Sequence, residues 1–359
     1  MTLSRRSLLG GFVGLTALGS LPVRAQAYLA VPVVDRLEVL FVTDGSVFGF
    51  AEPIRRSDLI VERGARGFEN HRVTLMAEWG LSLAVRSHRG PEQRNVLVDF
   101  GYTPVAFANN IKLLGVDPAT IDAAVLSHGH FDHFGGIDAL LGNTRLRRGT
   151  PLRVGGEEAF CERQRTGSGI ILPFGTLDRH AIGAAGMTVE VEPRARLIAG
   201  HGFTTGHIPF VSNERPVVPT RMLPGRGCER SQLPEEKRAL DHVQDDAAHE
   251  LATAYHLKDR GLVVLGSCSH RGIINTIRQA QAASGVSRVH AVLGGFHLTR
   301  PQTAAQARDT AQQMAALSPA FVVPGHCSGE AFIAAAEQVM PGRVIRPYVG
   351  SRFIFGAQT

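Results

Sequence analysis

Six residues, His128 to His133, restrict this chain more than any other stretch. They read H-x-H-x-D-H within Ser127-His128-Gly129-His130-Phe131-Asp132-His133-Phe134-Gly135-Gly136. Three imidazoles and a carboxylate in so short a run are costly to bury without partners, so packing does not account for them. On an extended segment, side chains two apart point the same way, so His128 and His130 can grip one ion. The Asp132-His133 pair that follows can turn toward a second. Neutral imidazole with carboxylate suits zinc, or manganese or iron where oxygen dominates. The run Ala123-Ala124-Val125-Leu126 before the motif reads as a short buried strand, and residues 134–141 after it as the start of a helix. The ligands therefore fall on a strand-to-helix loop, where open α/β sheets place their chemistry.

A length of 359 residues supports a large core in one or two domains. With 44% hydrophobic and 19% charged residues the composition excludes a disordered chain. The formal charge of +6 overstates the basic character, because Arg5, Arg6 and Arg24 lie in residues 1–27, which hold no acid; the remainder carries +3. That charge, with no ladder of basic and aromatic residues, argues against nucleic acid as a partner. The triplet around Arg145, Arg147 and Arg148 reads as a solvated face.

The first residues read as an address. Ser4-Arg5-Arg6-Ser7-Leu8-Leu9 is a twin-arginine pattern, Leu8 to Leu21 is apolar, and Ala25-Gln26-Ala27 offers a cleavage site before Tyr28. The apolar stretch is short for a membrane span and broken by four glycines, so stable membrane insertion is not expected. The expected partner is the twin-arginine export machinery, and the expected location periplasmic or otherwise exported. Residues 28–359 are then one domain. Such a compartment permits disulfides. Of the four cysteines, Cys268 and Cys327 each lie within two residues of a candidate ligand histidine. They are open to roles as ligands, as thiols behind the ligands, or as a bridge near the site.

The motif is similar to the signature of the metallo-β-lactamase superfamily. The likeness extends to Asn95-Val-Leu-Val-Asp99-Phe-Gly101, to Gly266-Ser-Cys268-Ser-His270, to Glu78-x-Gly-Leu-Ser82 and to Pro324-Gly-His326-Cys327-Ser-Gly329. Together, over about residues 37 to 356, these resemble the branch that includes the dihydropterin ribofuranosyl-aminobenzene phosphate synthases. The resemblance implies a four-layer αββα sandwich of α/β class, with the metal site at one edge between two sheets. It implies His128 and His130 on a first metal, with Asp132, His133 and His326 on a second. The superfamily's bridging aspartate is absent at its usual place, where this chain has Ser267-Cys268-Ser269-His270. His270 is taken as the missing ligand, and Cys268 as a thiolate ligand or a thiol beside the site. His207 in Thr-Gly-His-Ile-Pro resembles the superfamily's middle histidine and is expected to be a ligand or a substrate contact. Asp99 is expected to orient a ligand histidine through its far nitrogen. His297 ends a strand and is a candidate proton donor, catalytic alongside Asp132. His71, His88, His180, His201, His242, His249, His256 and His290 lack ligand spacing and are expected to be ordinary histidines.

Between these motifs, residues 51–72 read as a charged surface excursion, and 212–248 as a long loop or lid that covers the site. The function expected is a hydrolase. Two divalent ions, zinc foremost, supply a bound hydroxide that attacks an ester, lactone, amide or phosphodiester bond of a small molecule. An iron-dependent redox enzyme of the same fold, or a non-catalytic metal or ligand binder, are the alternatives. The synthase reaction itself transfers poorly to an exported chain. No nucleophilic serine elbow and no P-loop is present.

Overall fold

The computed structural model describes residues 28–64, 70–143, 145–166, 171–215 and 218–356. The twin-arginine pattern lies outside them. Strands apolar on both faces build two large sheets. In Arg36–Thr43, Leu37, Val39 and Phe41 face one way and Leu40 and Val42 the other, and all five are buried. A strand buried on both faces must be covered on both, which requires a second sheet on one side and helices on the other.

The first sheet has nine strands. Thr188–Val191, Pro151–Val154, Ala123–Leu126 and Glu92–Val98 run parallel. Ser82–Arg89, Arg36–Thr43, Ser351–Phe355, Leu59–Arg63 and Ile54–Arg56 continue it antiparallel. In the second sheet Gly261–Gly266, Val289–Gly294 and Phe321–Pro324 are parallel, and Thr253–Leu257 extends it antiparallel. Val39, Phe41, Val85, Val98 and Val125 of the first sheet meet Tyr255, Val263, Leu265, Leu293 and Val323 of the second in the central core. Helix Pro104–Leu113 covers the outer face of the first sheet through Phe107 and Ile111. Helices Ile273–Ser284, Ala304–Leu317 and Glu330–Val339 cover the second. This is the αββα sandwich the sequence implies. Among the described residues no helix is long and apolar enough to cross a membrane.

Two readings change. Residues 51–72 include Ile54–Arg56 and Leu59–Arg63, which form an edge of the first sheet. Their arginines and glutamate lie on an edge, where charge discourages further pairing. The 212–248 region is not a structureless lid. Thr220–Leu223 and Val243–Gln244 join Glu162–Arg165 and Leu172–Pro173 in a separate four-stranded sheet. A disulfide between Cys161 and Cys228 ties that insertion together.

One buried histidine gives this fold a pH signature. His290 lies between Phe321 and Phe355, with ring centroids 5.4 and 5.7 Å away, and its Nε2 has no hydrogen-bond partner. Burial pushes its pKa down to about 4. The unfolded chain titrates near the ordinary value of about 6.5, so this contribution is complete above that pH and is lost as pH falls toward 4. The full loss is up to about 3 kcal/mol. Urea unfolding of His290→Leu, compared with wild type between those limits, is expected to show a flatter acid side. Parallel profiles would refute this role.

Candidate metal centre

The parallel strands of both sheets deliver their C-terminal ends to one edge of the sandwich. Asp99 follows Glu92–Val98, and His128 to His133 follow Ala123–Leu126. Cys268 and His270 follow Gly261–Gly266, His297 follows Val289–Gly294, and His326 follows Phe321–Pro324. Asp99, Ser269, His297 and His326 all adopt left-handed backbone, with φ between 45° and 58°. Each such residue costs about 1–3 kcal/mol, and such strain concentrates at functional sites.

Hydrogen bonds fix which ring nitrogen each histidine presents. Asp99 is fully buried, and its Oδ1 and Oδ2 accept the Ser127 amide and hydroxyl, each at 2.7 Å. His133 Nδ1 also donates to Asp99 Oδ2 at 2.7 Å, which leaves Nε2 without a proton and facing the Cys268 sulfur. The Ser127 hydroxyl proton is spent on Asp99, so its oxygen accepts from His128 Nδ1 at 2.9 Å, and His128 Nε2 has no partner. His130 Nε2 lies 3.1 Å from Thr220 Oγ1 and 3.4 Å from Asp245 Oδ2, which turns Nδ1 inward. Both nitrogens of His270 and of His326 lack partners, as does Asp132 Oδ1.

Six of the twelve partnerless buried polar side-chain atoms among the described residues therefore belong to this one cluster. Unsatisfied polar atoms cost roughly 1–3 kcal/mol each, so a concentration of them marks a place for another group. Cations fit. The donors of His128, His130 and His270 lie within 4.8 Å of one another, as do those of Asp132, His133 and His326. Asp132 Oδ2 is 3.6 Å from His326 Nε2 and 3.9 Å from His133 Nε2. Two ligands about 2.0–2.3 Å from one tetrahedral ion sit roughly 3.3–3.7 Å apart, close to this spacing. Burial and the neighbouring imidazoles push His128 and His270 well below the usual histidine range, so both stay neutral, as metal ligands must. Burial opposes ionisation of Asp132, but His133, His326 and His130 hold it as a carboxylate.

Cys268 stands between the two sets. Its sulfur lies 3.1 Å from His133 Nε2 and 3.4 Å from Cys327 Sγ, with no disulfide between the cysteines. It groups with His128 and His133 on one side and with His326 and Cys327 on the other.

His297 packs against His270, ring centroids 4.2 Å apart, and faces the cleft beside the cluster. His207 does not join them. Its amide is held by Pro193 O, its Nδ1 meets Ala248 O at 3.1 Å, and the exposed ring faces a different cavity of about 910 Å³. The residues the sequence did not reveal come from the insertion and from loops: Thr220, Asp245 and His249 around the motif, and Trp79, Tyr102, Arg165, Phe174 and Arg300 on the cleft walls. The dense run Asp245-Asp246-Ala247-Ala248-His249-Glu250 was the one signal available.

Residues 82–220 match the metallo-beta-lactamase superfamily. The fold and the His128–His133 motif agree with that match. It is 25% identical over 296 residues to the 7,8-dihydropterin-6-methyl-4-(beta-D-ribofuranosyl)-aminobenzene-5'-phosphate synthase of Methanocaldococcus jannaschii, spanning 79% of this chain and 94% of that protein. An uncharacterized protein of the same organism is 25% identical over 205 residues, 57% of this chain and 68% of the other. A crystal structure described as a metal-dependent hydrolase of the beta-lactamase superfamily has the same fold, with a TM-score of 0.63 and 20% identity over 88% of this chain and 98% of its own.

Proposed function

We propose that this protein is a metal-dependent hydrolase with a two-ion centre. The single observation behind this reading is the cluster of partnerless donors from His128, Asp132, His270 and His326 on strand ends of both sheets. His128, His130 and His270 hold one divalent ion, and Asp132, His133 and His326 the other. Cys268, grouped with His128 of the first set and with His133 and His326 of the second, would add a thiolate to the ligands, which would favour zinc or iron over harder cations. Bound ions supply Lewis acidity and a nucleophile at neutral pH.

The chain's own groups do the rest. Asp99 and Ser127 orient His133 and His128, so neither ring can rotate away. The cleft is about 250 Å³, walled by Trp79, Tyr102 and Phe174, with Arg165 and Arg300 as cations and Asp132 as the one acid among the described lining residues. Such walls fit a small substrate with an aromatic or apolar part and a carboxylate or phosphate. The name of the synthase relative also carries an aromatic ring and a phosphate. His297, at the junction of this cleft and a second cavity of about 290 Å³, gives its proton to the leaving group. His297→Ala is expected to lower turnover about 10²–10⁴-fold with metal content unchanged, and activated leaving groups that need no proton should be spared. An equal loss for activated and unactivated substrates would remove His297 from that role.

A disulfide beside a twin-arginine pattern supports export to an oxidising compartment. The test is metal content per chain after export, with hydrolysis of aryl ester, lactone and phosphodiester panels. Two zinc ions, lost in His128→Ala/His326→Ala, are expected. No bound metal would sink the proposal, and iron with oxygen uptake would replace it with redox chemistry.

A further inference from the structure

We infer that Asp245 and His249, at the end of the insertion, are positioning residues that clamp the metal-binding loop from behind and set the orientation of His130. This rests on the metal-centre reading above and adds a device to it. The loop passes so close to the insertion that a methyl group on Gly129 would collide with Ala159 O and the Arg163 guanidinium. Arg163 is fully buried and serves as the hub. Its Nε donates to Asp245 Oδ2 at 2.5 Å, its Nη1 to Cys161 O and its Nη2 to Glu158 O, each at 3.0 Å. Nη2 also reaches His249 Nε2 at 3.1 Å.

Two arms run from that hub to the motif. On the first, Thr220 Oγ1 donates to Asp245 Oδ2 at 3.2 Å, so its lone pair, with the carboxylate, accepts the proton of His130 Nε2. His130 is thereby locked as the Nε2–H tautomer with Nδ1 bare. On the second, His249 Nε2 accepts the Gly129 amide at 3.0 Å as well as Arg163. With two donors on Nε2, His249 carries its proton on Nδ1, which points to Glu158 Oε2 at 3.6 Å. Glu158 is itself held by Lys237 at 2.9 Å. The two imidazoles therefore have opposite tautomers, each imposed by the same buried arginine and its acceptors.

Nitrogen-15 histidine spectra of the metal-free protein are expected to show His130 protonated at Nε2 and His249 at Nδ1. Stepwise cobalt(II) titration, followed by absorbance, is expected to show the first ion bound 10–100-fold more weakly in Asp245→Ala, with the second ion unchanged. Asp245→Asn, which keeps an acceptor oxygen, should fall between. Because Asp245→Ala strands Arg163 in the interior, Thr220→Val is titrated beside it and should weaken the same ion. Reversed tautomers, or wild-type affinity for the first ion in both Asp245→Ala and Thr220→Val, would overturn the inference. If the wild-type protein bound no cobalt, the metal-centre reading would fall, while the tautomers would still decide the positioning.

Discussion

Asp132→Ala is expected to lose one of two ions and to lower turnover about 10³-fold, with the fold intact by circular dichroism. Asp132 is buried, one carboxylate oxygen lies 3.6 Å from His326 Nε2, and the other has no partner. No other carboxylate lies in that ligand set, because His133 and His326 complete it with imidazoles. Alanine would leave two imidazole nitrogens and the Cys268 thiolate to hold a dication. The ion anchored by His128, His130 and His270 should remain, since none of its ligands depends on Asp132. Metal analysis and the rate on the best panel substrate measure both halves. Two ions retained with a rate within tenfold of wild type would show that Asp132 is not a ligand.

Opening the Cys161–Cys228 bridge is expected to destabilise the protein by about 4 kcal/mol, the chain-entropy value for a loop of 67 residues. Both sulfurs are buried at the insertion's end of the apolar cluster on the outer face of the first sheet, with Phe160, Met222 and Leu233. Cys161 also gives its carbonyl to Arg163, so loosening it disturbs the guanidinium that faces Asp245 and His249. Denaturant midpoints of the oxidised protein and of Cys161→Ser/Cys228→Ser test this. The midpoint should fall, and metal should dissociate earlier in the transition than in wild type. An unchanged midpoint would make the bridge incidental to stability.

Much of the fold was legible because its cues are local. Continuous apolar runs such as Ala123–Leu126 and Gly261–Gly266, and histidines placed just after them, mark strands and their ends without tertiary knowledge. His128, His130, Asp132 and His133 are readable for the same reason: their spacing is their geometry. What failed depends on distant pairing. Ile54–Arg56 and Leu59–Arg63 lie among arginines and become strands only because Ser351–Phe355, from the far end of the chain, offers an edge. His207 sits in a loop of suggestive sequence, yet its ring points away from the cleft. His249 looks ordinary in sequence, because its partner Gly129 is 120 residues away. Thr220 and Asp245 meet His130 only after the insertion has folded back on itself.

The insertion performs two tasks with one surface. Thr220 lines the cleft where substrate would lie, and its hydroxyl also contacts His130 and Asp245. A change there made to admit a different molecule would alter the affinity of the neighbouring ion as well. Neither evolution nor an engineer can then retune selectivity along this wall independently of cation retention. Variants that broaden the range of substrates at Thr220 should need more supplied metal to work, whereas changes at Arg300, on another loop of the cleft, should not.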